Sequence, residues 1–471
     1  LFPIHKTKEN PMEAFLIRAL QLILCFSILI FLHEGGHFLA ARLFKIRVEK
    51  FALFFDPWFS LFKFKPKKSD TTYVLGWLPL GGYVKIAGMI DESMDKEQMQ
   101  QPVQPWEFRA KPAWQRLIVM LAGVFVNFIL ALFIYAMILF TWGDTYVPMR
   151  NIDQGFAFNE RARQFGFQNG DIPLHTDKVT FDRFDSNESM GDVYRGISEA
   201  RSVTVLRQGK EVTLSLPGEI NMIQMMKEEP PFLLPLSTAV VDSLPAGSPA
   251  AKAGVHVGDS LVSYNGAPCT TWNEYTDIRA RMEDVLASKK PADSLRLRQV
   301  TLVVARATTG VRDTLRFQLT PEYALGISHY SPFKNYKTVT KNYTFLSSFP
   351  AGFSHGWHVL KGYITDLKYI FTKDGAKSIG SFGTIGSLFP TTWVWERFWE
   401  LTAFISLMLA FMNILPIPAL DGGHAFFLLY EVITRRKPSD KFMENAEKIG
   451  IFLLLGLMAY ALFNDVLKFI F

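Results

Sequence analysis

The chain has 471 residues, of which 49% are apolar and only 20% charged, and its mean hydropathy is positive at +0.13. This balance excludes a disordered or fibrous chain and points to membrane spans diluted by soluble domains. The net charge of +6 is modest, and no long basic stretch interleaved with aromatics lies in a soluble region, which argues against nucleic acid as a partner. Two cysteines, Cys25 and Cys269, cannot build a disulfide framework.

Residues 1–11 carry no structural signal and read as an expression remnant or a disordered end. The run from Met12 to Phe44 (12–44) is long enough to cross a bilayer, for which about 20 apolar residues suffice. Between Arg18 and Arg42 its only strongly polar group is His33-Glu34-Gly35-Gly36-His37. A loop over 45–112 follows, crowded with Lys63, Lys65, Lys67 and Lys68. Within it, Leu75–Gly88 reads as an apolar β-hairpin (about 72–90) turning near Gly81-Gly82. The second span, 113–143, is free of charge from Leu117 to Gly143.

Residues 144–395 return to soluble composition, with strand-like pieces between Gly, Pro and Asp turns. The stretch Ser243–Gly266 reads as a turn, a short helix ending at Gly254, a Gly258-Asp259 turn and a strand ending at Asn265-Gly266. It resembles the core of a PDZ domain, and Ala162–Ile172 is a weaker echo of it. Two PDZ-like modules are therefore expected in tandem, at 145–228 and 234–328, the first degenerate. Residues 343–395, rich in aromatics and glycine, read as an amphipathic segment on the membrane surface. A third span, 398–431, contains Asn413-Ile-Leu-Pro416-Ile-Pro418-Ala-Leu-Asp421-Gly422-Gly423. A short fourth span, 448–470, needs Asp465 at an interface. Residues 45–116 hold 12 Lys/Arg and 431–448 hold 5, so both loops belong to the cytoplasmic side. The N-terminus, 144–395 and the C-terminus then lie outside. The fold class is a polytopic α-helical membrane protein with four transmembrane helices, a membrane-dipping β-hairpin and two external PDZ-like α+β domains.

His33-Glu34-Gly35-Gly36-His37 is an HExxH pattern. On a helix, positions four apart share one face a turn apart, so both imidazoles can reach one Zn²⁺. Glu34, displaced by about 100°, can stand beside the metal's open position as a base. Ionisable groups within a span are costly and mark function. Two histidines are one ligand short, and the candidate third is Asp421, with His424 as a rival three residues on. Pro416 and Pro418 interrupt the helix, which is tolerated where the break lines a polar cavity or is buried in protein.

HExxH in the first span, a PDZ insertion and N-x-x-P-x-P-x-x-D-G in a later span together resemble the site-2 protease family of intramembrane zinc metalloproteases. The similarity is nearest to bacterial members with tandem PDZ domains that cut anti-sigma factors. The resemblance implies His33, His37 and Asp421 as zinc ligands, Glu34 as general base and Asn413 as a contact to the substrate backbone. It also implies that the hairpin, with Gly81, Gly82, Tyr83 and Val84, pairs with substrate as an added strand. Gly123-Val-Phe-Val-Asn127 is similar to a G-x-x-x-N element of relatives, where Asn127 serves either helix packing or the site. The expected partners are transmembrane substrates such as anti-sigma factors after a first cleavage, in the bacterial cytoplasmic (inner) membrane. A zinc-free PDZ scaffold would leave HExxH and Asp421 unexplained in hydrocarbon. A transporter would call for inverted repeats and more spans.

Overall fold

The computed structural model describes residues 11–79, 81–89, 101–184, 188–228, 230–245, 247–287, 297–320, 323–329 and 336–469. The expected disordered end at 1–11 lies outside these residues except for Pro11, which opens the first helix. The chain forms two compact units, one from Asp144–Lys341 and one from the sequence on either side of it.

In the flanking unit, helix α1 spans Pro11–Leu43 and closes on Lys45, whose φ of 56° is left-handed. A four-stranded sheet follows, from β1 (Val48–Leu53), β2 (Phe62–Phe64), β3 (Thr72–Leu75) and β4 (Tyr83–Ile86), in the order β2-β3-β1-β4. The expected hairpin is corrected here. Strands β3 and β4 do not pair with each other; β1 lies between them, parallel to β3 and antiparallel to β4. The connection between them passes over the end of β1, where Leu78 pairs with Phe55. Gly76 donates to the Leu53 carbonyl at 2.8 Å.

Helix α2 (Ala113–Thr141) starts after Pro112 and stops at Gly143, which has φ 75° and donates to the Leu139 carbonyl, a left-handed helix end that glycine adopts without steric cost. It is the central helix of this unit.

The Asp144–Lys341 unit begins with β5 (Asp144–Pro148) and contains two modules of matching order. The first runs β6 (Phe156–Phe158), α3 (Glu160–Gln164), β7 (Ile172–Thr176), β8 (Arg183–Phe184), α4 (Glu188–Ser198), β9 (Ser202–Arg207), β10 (Lys210–Ser215), and adds α5 (Met222–Lys227). After β11 (Leu233–Pro235), the second runs β12 (Val241–Ser243), α6 (Pro249–Lys252), β13 (Ser260–Tyr264), β14 (Ala267–Pro268), α7 (Trp272–Ala287), β15 (Gln299–Ala305), β16 (Arg312–Gln318). In both, the strand after the short helix pairs with the strand after the longer one, which pairs with its successor. Each also has an aspartate–arginine clasp. Asp171 takes two bonds of 2.7 Å from Arg207, and Asp259 takes one of 2.7 Å from Arg306. Strand β17 (Ser328–His329) pairs with β12. Strand β18 (Val339–Lys341) pairs antiparallel with β5, Lys341 opposite Asp144. Cys269 and Cys25 are buried and free.

Helix α8 (Phe345–Asp366) opens the segment expected to be amphipathic. It runs antiparallel along α2, with Phe345 on Phe140, Phe349 on Phe133 and His355 on Tyr135. Ser348, Gly352 and Gly356, four residues apart, form its buried face, and a Cβ at Gly352 would meet the Ala136 backbone at 2.5–2.6 Å. Small residues at this spacing let helices approach closely. After α9 (Lys373–Ala376) and α10 (Phe382–Leu388) come α11 (Trp395–Ile414), α12 (Asp421–Thr434) and α13 (Asp440–Phe469). The third span, 398–431, is interrupted at its prolines: one helix stops at Ile414, two residues before Pro416, and the next starts at Asp421. Helices α1, α8, α11 and α12 all pack on α2.

Among the described residues, four helices are long and apolar enough to cross a membrane: α1, α2, α11 and α13. Asp465 near the end of α13 is paired within the protein. It is buried, and it accepts hydrogen bonds from Ser381 N and Oγ, Gly383 N, and Thr384 N and Oγ, so it caps the start of α10.

Candidate metal centre

The first two donors come from α1, where His33 and His37 are separated by one turn with their Nε2 atoms 3.3 Å apart. The crossing helix must lie very close to bring a third element in. Gly36 makes this possible, since a Cβ there would meet the Ala122 carbonyl oxygen of α2 at 2.6 Å. Opposite, Gly123 leaves room for both imidazoles, and a Cβ at Gly123 would strike His37 Nε2 and come within 2.9 Å of His33 Cε1. Gly35, by contrast, faces open space.

The third donor comes from the broken span. Residues 415–420 leave the helical path at the two prolines, and Ala419 turns through φ 73°. Helix α12 then restarts at Asp421, with Leu420 as its N-cap. Gly422 and Gly423 lie against the carbonyls of Ile414, Leu415 and Ile417, so the turn is too tight for side chains there. Asp421 sits in the first turn of α12, where exposed N–H groups favour a carboxylate. Its Oδ2 lies 3.1 Å from His33 Nε2 and 3.4 Å from His37 Nε2.

His33, His37 and Asp421 are the group of His, Cys, Asp or Glu side chains, among the described residues, whose ligand atoms converge to within 4.8 Å. Asp421 Oδ2 is buried and accepts no aligned hydrogen bond. The far nitrogens are engaged elsewhere. His37 Nδ1 is 2.8 Å from the Val119 carbonyl, and His33 Nδ1 is 3.3 Å from the Asn127 amide. Turned over, that amide would present its otherwise unpartnered Oδ1 to His33 Nδ1–H. Two Nε2 atoms and one carboxylate oxygen, with both Nδ1–H groups directed outward, fit a zinc ion.

The rival ligand His424 turns away, its Nε2 3.8 Å from Glu447 of α13. Asn413 ends α11 half-buried, and its side chain makes no hydrogen bond among the described residues. Pro416 and Pro418 shape the break, and Gly450 of α13 presses directly on Pro418. Gly82 lies against Ile30 and the Glu34 side chain, with 3.6 Å from its built Cβ to Glu34 Cγ. The start of β4 therefore meets α1 beside Glu34. Gly81 packs on the Phe55 ring, which stacks on Tyr83, while Val84 faces the core at the end of α1. Sequence reasoning passed over Gly36 and Ser406, whose Oγ donates to the Asn127 carbonyl at 2.8 Å.

The sequence model of peptidase family M50 matches residues 21–457, nearly the whole chain. The chain belongs to peptidase family M50. It is 27% identical to the regulator of sigma-E protease RseP of Escherichia coli, over 96% of this chain and 99% of that one. It is 25% identical to the metalloprotease MmpA of Caulobacter vibrioides over 97% of both. A Neisseria meningitidis protein whose name describes a zinc metalloprotease is 27% identical, over 95% of this chain and 98% of its own. This M50 peptidase is thus a zinc metalloprotease with four candidate membrane-spanning helices.

Proposed function

We propose that this M50 peptidase hydrolyses peptide bonds inside transmembrane segments of membrane proteins that another protease has already trimmed, anti-sigma factors among them. His33, His37 and Asp421 hold the zinc ion. The observation that carries this reading is the buried Asp421 Oδ2, which accepts no aligned hydrogen bond, facing two imidazole nitrogens on a helix of membrane-spanning composition. Zinc, when bound, supplies Lewis-acid activation of water and of a peptide carbonyl.

The protein's own groups do the rest. Glu34's carboxylate takes a proton from the attacking water and returns it to the leaving amine. Val119 and Asn127 hold the imidazoles in the tautomer that turns Nε2 inward. Strand β4 ends its sheet, so one edge is unpaired among the described residues and begins beside Glu34. A substrate helix unwound into an extended strand adds to this edge, exposing amide bonds that a helix keeps hydrogen-bonded. Gly81, Gly82, Tyr83 and Val84 shape that edge, and Asn413 contacts the substrate backbone. The chain sits in the bacterial inner membrane, with its two tandem modules, read as PDZ domains, outside. They act as a steric filter that excludes proteins with large external domains.

The test is proteomics of the membrane fraction with wild-type protein and with Glu34→Gln, beside zinc analysis. Stubs that accumulate only in the variant, with about one zinc per chain in both, support the proposal. Equal turnover in both would remove Glu34 from the mechanism.

A further inference from the structure

The lysines at 63–68 take no part in the site, yet Lys63 lies on β2 of the sheet that carries β4, and Lys65, Lys67 and Lys68 follow in the turn after that strand. Between Pro57 and Ser69 the chain carries Lys63, Lys65, Lys67 and Lys68 and no acidic residue. All four are exposed and have no anionic partner among the described residues. The nearby acids are already committed, Asp56 to Lys50 at 2.7 Å and Asp70 to Arg47 at 3.4 Å.

The same segment displays unusually large apolar groups. Trp58 is 90% exposed, Leu61 and Phe62 62% each, and Phe59 and Phe64 more than half. Trp58 adopts φ 69°, uncommon for a bulky residue, and stacks with Phe59 on Trp77. Directly opposed residues in a sheet share a face. Phe62 and Phe64 oppose Leu75 and Tyr73, and Tyr73 packs on Phe38 of α1, whereas Lys63 opposes Val74 on the other face. The outer strand is therefore amphipathic, with its aromatics on the side of α1. Elsewhere in the same unit, Leu39 and Leu43 of α1 and Trp114 of α2 are exposed apolar groups as well.

We infer that residues 57–69 form a docking surface for anionic phospholipid headgroups in the leaflet reached by the end of α1. The aromatic rings enter the interface and the lysines reach the phosphates. Docking there fixes the depth of the sheet, and with it β4, relative to the bilayer. The inference rests on the membrane reading above and adds a lipid requirement to it.

The test uses the full chain reconstituted in phosphatidylcholine vesicles containing a minority of phosphatidylglycerol. Cys25 and Cys269 are buried, so a fluorophore on Phe62→Cys reports position 62. Bromine is placed on the acyl chains of one lipid or the other. The expected result is quenching by brominated phosphatidylglycerol exceeding that by brominated phosphatidylcholine, per lipid, by about twofold or more. That preference should vanish when Lys63, Lys65, Lys67 and Lys68 are all changed to Gln, while quenching itself persists. Equal quenching by both lipids in the otherwise unchanged protein overturns headgroup recognition. Absence of quenching by either places the face in water or under protein and overturns docking. This readout needs neither zinc nor catalysis. Normal cleavage without lipid preference would therefore sink this inference alone, whereas lipid preference in a protein that cleaves nothing would sink only the proposed function.

Discussion

Each imidazole of the centre is held at both nitrogens, and only one of the two holds is a ligand position. For His33 the outer partner is Asn127, itself anchored where its backbone carbonyl accepts from Ser406. Such outer partners fix ring orientation and tautomer, and losing one costs about 10–100-fold in metal affinity. Asn127→Ala should therefore weaken zinc binding by that factor in a chelator competition. An unchanged affinity would reduce Asn127 to helix packing. The two glycines near the motif make a sharper contrast. Gly123→Val should abolish zinc binding, because its side chain would occupy the space of both rings. Gly35→Ala meets nothing within 4 Å and should leave zinc content intact, with a gain of up to about 1 kcal/mol in helix propensity. Zinc-to-protein ratios of the two purified variants decide the matter.

Among the elements, the sheet bearing β4 matters most, and a polar cluster secures it. Asp56 accepts from Lys50, Ser60 and the Tyr83 hydroxyl, joining β1, the loop after it and β4. Burial alone would raise the Asp56 carboxyl, but the hydrogen bonds from Lys50, Tyr83 and Ser60 reverse this and hold it below the usual carboxylate range. Lys50, despite burial, is held above the usual amine range by Asp56 and Tyr83. A depressed acid contributes stability that is complete above its unfolded pKa and lost as pH falls through the folded one. A raised amine contributes below its unfolded pKa and loses it as pH rises through the folded one. Asp56→Asn should thus cost about 1–3 kcal/mol, constant from about pH 5 to 9, in thermal unfolding in detergent. A cost that varies within that window would contradict the pairing. Val84→Pro should slow cleavage while zinc stays bound, since proline removes a strand donor; equal damage from Val84→Ile would argue against strand addition. Strands β3 and β4 were legible from their apolar residues, but β1, β2 and the partner of β4 were not. Local apolar spacing cannot reveal that β1, more than thirty residues earlier, inserts between β3 and β4. Similarly, the Ser348, Gly352 and Gly356 stripe was present in the sequence, yet the surrounding aromatics masked it.

Across the whole molecule, the centre was the most readable part, because HExxH and Asp421 are chemically costly inside apolar runs. What brings them together was less visible: the crossing at Gly36 and Gly123 depends on residues distinguished only by lacking a side chain. The matching element order of the two modules was half-legible. Gly170-Asp171 echoes Gly258-Asp259, whereas the clasping Arg207 and Arg306 follow at unequal distances and left no pattern. Replacing 145–340 by a short Gly/Ser linker should permit cleavage of untrimmed substrates that the intact protein ignores, read by immunoblot of a tagged substrate. Loss of activity even on correctly inserted, trimmed stubs would mean that the modules recruit instead of exclude. The pairing of Asp144 with Lys341 has a further consequence. The polypeptide enters and leaves this unit through adjacent strands, β5 and β18, with β8 of the first module on the other side of β5, so the rest of the unit is a graft whose two ends lie side by side. What lies between β8 and β18 can change in length or copy number while those two ends stay side by side. A lineage could double such a graft, let one copy drift, or exchange it outright, while the metal centre kept its geometry.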